Sequence, residues 1–419
     1  MQSVEFPFGE MFITLELSQP AEVLLPAPVP GVKDELSVIR QSLSRPIGSE
    51  RLRTVAQGKR STAIVINDAT RPAPTESMLT AIMEELAFAD IGPDDVTTIV
   101  ATGNHVAPSM AELKKILGRW HPTLKTISHD CNDKSLLTYL GETKGGMPVY
   151  VNTSYANASL KILTGIITPH QLAGFSGGRK SVIPGISGIQ TLQRHHSFPI
   201  RPKTSVLGVI AGNTFHQEAV GGAKMAGVDF IVNVVKNYRG EVIEAVAGDC
   251  ERAHMHGVGI CERSWVRRFD RAYDVVFVSP GRHPKDIDLH QAQKALAVAE
   301  QVTKPGGTIV LIAECRNGIG KFGRVLKEAD CVDTVIREFT EQGFSPDHNS
   351  KAYLFARVCK NHTLFVVTSG IDRKELADMF MTGFTSISEA ASAALALHDH
   401  ADILCIPYAG ECIPIVEKP

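Results

Sequence analysis

The sequence predicts an α/β protein of two domains, each built on a mostly parallel sheet, with an active-site cleft between them. Three observations predict it. Short apolar runs of strand length alternate with segments of helical spacing. Three of those runs, at 61–66, 95–101 and 160–167, stop abruptly at clusters of polar residues. The same pattern then restarts at 273–279, just after a charge-rich stretch at 267–271. Buried strands alternating with helices build parallel sheets with both faces covered. A chain of 419 residues is long enough for two cores. The boundaries expected are a first domain at 1–268, a second at 269–407, and a tail at 408–419 that packs back on the first.

The opening sixty residues contain an alternating strand, MFITLEL, a Pro-rich loop at 26–30, and a helical pattern after Val32. STAIVI (61–66) is a buried strand that ends in NDATRPAP. The helix from about Glu76 carries apolar residues at Met78, Leu79, Ile82 and Leu86. DVTTIVA (95–101) is the next buried strand. It ends in Thr102-Gly103-Asn104-His105, and a helix begins near Ser109. The run 160–167 ends at Thr168-Pro169-His170, and a helix carrying His195 and His196 follows a glycine-rich loop. Further strands are expected at 205–210 and 230–235. His254 and His256 lie two apart on a helix and so do not share a face; they read as surface. In the second half, strands are expected at 273–279, 308–313, 363–368 and 403–407. A helix at 290–302 presents Gln291 and Lys294 on one face near its start. His398 and His400 decorate a loop.

Ligands of open α/β sheets sit beyond the carboxyl ends of the strands. The clusters Asp68/Thr70/Arg71, Asn104/His105 and His170 are therefore expected to converge on one crevice. Taken singly, Asp68 would be a turn or helix cap and Arg71 a surface ion pair. The glycine-rich loop, with Gly174, Gly177 and Gly178 before Arg179 and Lys180, is of the kind that brings backbone amides close to an anion. It nearly fits the nucleotide-binding pattern G-x-x-x-x-G-K-[ST], but Arg179 stands in the glycine slot before the lysine. No G-x-G-x-x-G follows the first strand of either domain, which argues against a nicotinamide-dependent dehydrogenase.

The net charge of −2 gives no electrostatic reason to expect nucleic acid or a membrane surface. Eight scattered cysteines form no C-x-x-C pair and read as the reduced thiols of a cytoplasmic protein. The N-terminus has acids and a proline before any apolar run, unlike a signal peptide. No apolar stretch approaches the roughly 20 residues needed to cross a bilayer.

The motifs NDATRP (67–72), ATGNH (101–105), TPH (168–170), GGRKSVIPG (177–185) and the pair His195-His196 occur in one order and spacing. With the later Gln291/Lys294 helix, they resemble the nickel-dependent lactate racemase family, from about residue 60 to 300. The resemblance implies a racemase or epimerase inverting C2 of a 2-hydroxy acid by reversible hydride transfer through a 2-keto acid. It implies a nickel-pincer nucleotide, linked covalently to Lys180, and cofactor-synthesis enzymes as partners. His196 would be the protein ligand to nickel, sixteen positions beyond Lys180 (196 − 180). His105 and His170 would be the acid–base pair. Asp68, Thr70, Arg71, Gly177 and Gly178 would lie against the cofactor, with Arg71 also reaching the substrate. Gln291 and Lys294 would hold the substrate carboxylate. A larger 2-hydroxy acid, such as a sugar acid or malate, is the alternative substrate. A phosphate- or nucleotide-binding protein without redox chemistry is the alternative of another class.

Overall fold

The structure, a computed structural model, describes residues 1–198, 200–203, 206–320, 322–344 and 350–417. The chain divides into two compact units. One holds Val29–Pro202 and Val209–Ser264; the other holds Met1–Pro28, Lys203–Gly208 and Trp265–Pro419.

The first unit is organised by a six-stranded sheet in the order Val242–Gly248, Phe230–Lys236, Leu160–Ile167, Thr62–Asn67, Val96–Ala101, Lys125–Ser128. All neighbours pair in parallel except the edge strand Val242–Gly248, which is antiparallel. The central strands are buried almost throughout, as runs such as TAIVIN require. On the helix Thr75–Ala87 the apolar spacing read from sequence is the buried stripe, with Met78, Leu79, Ile82 and Leu86 in the core. Each such side chain stabilises the fold by about 1.5–3 kcal/mol. Ser109 caps the helix Met110–Leu117 through a reciprocal bond with Glu112.

The second unit repeats the plan with a parallel sheet in the order Thr382–Phe384, Thr363–Val367, Thr303–Ile312, Tyr273–Val278, Ile403–Ile406, Glu22–Val23. The boundary read from sequence put residues 1–28 with the first domain. The contacts put them here, because Val4, Phe6 and Leu15 of the antiparallel hairpin Gln2–Phe8/Met11–Leu17 share a core with Val275, Phe277 and Val310. The tail strand Ile413–Val416 pairs in parallel with Val266–Phe269 of the same unit.

Two local expectations are corrected. Residues 206–210 form turn and coil rather than a strand, with Gly208 at φ +73°; Ser205 lies outside the described residues. The helix expected at 290–302 is two abutting pieces, Leu289–Ala292 and Lys294–Ala299, the first capped by Asp288. Among the described residues no helix is long and apolar enough to cross a membrane.

Candidate functional site

The strands Leu160–Ile167, Thr62–Asn67 and Val96–Ala101 are neighbours in one sheet and run parallel, so their carboxyl ends open on the same edge. The three polar clusters expected to converge are thus delivered side by side.

At the first of these ends, Asp68 is buried and accepts two side-chain bonds. Its Oδ2 lies 2.7 Å from His105 Nδ1, and its Oδ1 takes the Thr70 hydroxyl at 2.8 Å. Burial pushes the Asp68 carboxyl upward, but the bonds from His105 and Thr70 outweigh it and hold the group below the usual range. Because a carboxylate only accepts, His105 carries its proton on Nδ1 and keeps the lone pair on Nε2. His105 itself remains partly open to solvent. Its loop is fixed by the backbone bonds His105 N–H to Thr102 O and Gly103 N–H to Gly185 O. The second of these ties the His105 loop to the turn that follows Lys180.

His170 has the opposite arrangement. The backbone amides of Leu172 and Ala173 both donate to His170 Nδ1 at 3.2 Å. Nδ1 is therefore the acceptor, and the neutral ring carries its proton on Nε2. That Nε2 lies 3.2 Å from Lys180 Nζ, a contact that suits an amine with a lone pair. Desolvation pushes Lys180 well below the ordinary lysine value, and the charges of Arg179 and Arg71 add to it. His170 is pushed well down by burial, then by Lys180 and Arg71. Arg71 therefore acts electrostatically on both groups from the neighbouring strand end.

The helix Ile189–His196 ends in the two histidines, and they differ. His195 is fully buried; its Nε2 donates to the Phe215 carbonyl at 2.8 Å, and its ring lies 3.7 Å from the Phe215 ring. His196 is only partly buried. Its Nδ1 donates to the Leu192 carbonyl at 3.0 Å, which puts the lone pair on Nε2. Burial and the Lys180 charge lower its pKa to about 3. Phe215 touches both rings and lies 5.6 Å from Lys180 Nζ.

The glycine-rich loop is held from inside. Gly177 has φ +81°, and a Cβ there would come within 2.9 Å of Asn233 Oδ1 and 2.8 Å of Ile167. The Gly178 amide donates to Asn233 Oδ1 at 2.8 Å, so it is already taken. Arg179 is wholly buried and spreads its two terminal nitrogens over the carbonyls of Ala173, Phe175 and Gly177 and the His254 ring. Burial lowers its pKa to about 9, which still leaves it cationic at neutral pH. His254 was expected at the surface and is instead buried under this loop, with Nε2 2.8 Å from the Ser176 carbonyl. The helix Arg252–Trp265 buries Ala253, His254, Gly257, Val258 and Cys261, and that stripe turns His254 inward while His256 stays exposed.

Gln291 and Lys294 belong to the other unit, where Lys294 Nζ donates to Gln291 Oε1 at 2.7 Å. Asn233 and Phe215 were not anticipated. Asn233 left a signal, a polar residue inside the apolar run FIVNVVK; Phe215 left none. Among the described residues no three His, Cys, Asp or Glu side chains gather as a metal-binding group.

Comparison with known proteins identifies what this chain is similar to. Residues 8–208 match the lactate racemase N-terminal domain family, and residues 270–413 match the lactate racemase C-terminal domain family. The chain is 30% identical to a lactate racemase of Thermoanaerobacterium thermosaccharolyticum over 94% of each sequence. It is 33% identical to a lactate racemase of Lactiplantibacillus plantarum over 88% of each. The solved lactate racemase apoprotein from T. thermosaccharolyticum superposes with a TM-score of 0.87, covering both chains completely at 28% identity. Both halves of the sequence and the fold agree, and the chain belongs to the lactate racemase family of isomerases.

Proposed function

We propose that this chain inverts the C2 centre of a 2-hydroxy acid of the lactate class, with His105 and His170 as its acid–base pair and a nickel-pincer nucleotide anchored at Lys180. The observation that carries this reading is the pair of imidazoles on one edge of the sheet, at strand ends on either side of Thr62–Asn67, held by their partners in opposite tautomers. His105 is bonded through Nδ1–H to Asp68 and keeps Nε2 as a proton acceptor. His170 accepts two backbone amides at Nδ1 and keeps its proton on Nε2. Inversion through a planar keto acid needs a base on one face and an acid on the other. One group takes the hydroxyl proton on one face and becomes an imidazolium; the other, once it has itself taken up a proton from solvent, returns one to the keto oxygen on the opposite face. Asp68 orients the first base and stabilises it once protonated, as the acid of a catalytic triad does.

The donor chemistry fits the cofactor. A lysine that attacks must be neutral, and burial beside Arg179 and Arg71 favours the neutral amine of Lys180. A histidine that ligates nickel needs a lone pair on one ring nitrogen and a hydrogen bond fixing the other. His196 has this arrangement through its bond to the Leu192 carbonyl. His195, buried against Phe215, is worse placed for it. When bound, the group supplies a pyridinium hydride acceptor that accepts and returns the C2 hydrogen. Thr70 and Arg71 would lie beside it, and Arg71 adds a cation for the substrate carboxylate. Gly177 shapes the loop. The Gly178 amide is engaged with Asn233, so the support for Gly178 as a direct cofactor contact is correspondingly less. The same engagement weighs against an anion cradle as the loop's main purpose. Gln291 and Lys294 are the proposed holders of the substrate carboxylate.

The test uses protein produced together with cofactor-synthesis enzymes and lactate deuterated at C2. Retention of deuterium in the inverted product, with a primary isotope effect, is expected. Full replacement by solvent hydrogen at C2 would mean a carbanion route and sink the proposal. An intact-mass adduct that survives in Lys180→Ala would remove Lys180 as the anchor. A panel of chiral 2-hydroxy acids that included malate and sugar acids would set the substrate.

A further inference from the structure

A second opening lies behind the glycine-rich loop, away from the strand ends that carry His105 and His170. It is a cleft of about 370 Å³ between the helix Thr214–Ala226 and the start of the helix Arg252–Trp265. Arg179 and His254 form its inner wall, and the exposed pair Lys224–Glu251 stands at its mouth. Of the residues given roles above, only Arg179, whose charge acts on Lys180, touches it.

The charges of the lining are unequal in their partners. Three acids line the cleft, and each is already engaged. Asp229 accepts the Lys161 amide, Asp249 caps the Arg252–Trp265 helix, and Glu251 pairs with Lys224 at 2.6 Å. Arg179 differs. It is 1% exposed, its hydrogen bonds go to neutral carbonyls and an imidazole, and its Nε has no partner. The thiol beside it, Cys250, is pushed up to about 12 by burial and is neutral. A buried cation without a counter-ion is costly, and an anion in the adjoining cavity offsets that cost. His216 also lines the cleft with an unpartnered Nδ1, its ring facing that of His254 at 6.4 Å. Val220, Ala223, Val228 and Met255 supply an apolar side.

We propose that this cleft is a second binding site, for a small organic acid whose carboxylate sits toward Arg179 and His216 and whose apolar body lies along Val220 and Met255. An occupant would meet the guanidinium that gathers the loop carbonyls one residue before Lys180. It would therefore act on the loop from behind without competing for the strand ends.

The probe is benzoate, a carboxylate with a flat apolar body, titrated calorimetrically into the full chain. Binding is expected in the wild type and in Arg71→Ala, and at least tenfold weaker in Val220→Trp, which fills the cleft from the helix Thr214–Ala226. In the wild type, benzoate should also slow N-ethylmaleimide labelling of Cys250 severalfold, with the exposed Cys331 as internal reference. This second readout decides the matter if Val220→Trp does not fold. Three results overturn the proposal: no benzoate binding, binding lost in Arg71→Ala but kept in Val220→Trp, or Cys250 labelling unchanged by benzoate.

Discussion

His105 and His170 follow parallel strands of one sheet that flank the strand Thr62–Asn67, yet their surroundings are opposites. His105 is partly solvent-exposed and bonded to a carboxylate. His170 sits against Lys180 with Arg71 and Arg179 contributing positive potential, and its Nδ1 accepts from two backbone amides. The same side chain is thus held in opposite tautomers, with Nδ1 donating in one place and accepting in the other. The difference lies in what touches Nδ1: an acceptor-only carboxylate or two donor-only amides. For the acid–base pair proposed above, a reaction that runs in both directions would draw on both settings, supplied from one edge of the same sheet.

The comparison can be broken most directly by removing either ring. His105→Ala and His170→Ala should each reduce racemisation in both directions by roughly 10²–10⁴-fold, measured by chiral analysis from either enantiomer. A variant that stays within tenfold of the wild type would take that histidine out of the pair. Asp68→Asn sharpens the comparison further. It keeps the shape but removes the charge that orients His105, and kcat should fall about 10²-fold while nickel content and the mass adduct are retained. Loss of the adduct instead would place Asp68 with the cofactor rather than with the histidine.

Lys294→Ala tests the carboxylate holder of the other unit. Lys294 is solvent-exposed, which screens its charge, so kcat/KM should drop by about 1–2 kcal/mol. An unchanged kcat/KM would return it to an ordinary surface lysine. The smallest effect concerns stability. The Asp68 carboxyl is held below its usual 3.8, so its contribution is complete above that value and lost as pH falls through the lower folded one. Asp68→Asn should therefore be less stable than the wild type at pH 6, with the gap closing in the acid limb of urea titrations. A gap of constant size down to pH 2 would show that the carboxylate charge is not the source.

The strands that deliver the site were legible because they are mostly aliphatic runs of strand length cut off by polar residues, as at 160–170. That signal needs no partner. The two histidines were legible for the same reason, since each closes such a run. What could not be read was how the clusters hold one another. Asn233 is visible as an intruder in FIVNVVK, but nothing in its neighbours says that it faces Gly177 and Gly178, 55 positions earlier in the case of the Gly178 bond. His254 was misplaced because spacing relative to His256 says only that the two part company. Which one turns inward depends on the whole stripe of the helix. The stretch 206–210 has strand composition, but Gly208 at positive φ turns it.

The bond between Asn233 and the Gly178 amide has a consequence for the life history of the enzyme. Together with Arg179, it gives the loop its form from the protein's own interior, with no visitor required. The polypeptide can then complete its folding and wait, with the lysine already seated where burial favours its neutral form. With the cofactor proposed above, activation would be a separate event, timed by the cofactor's arrival rather than by synthesis of the chain.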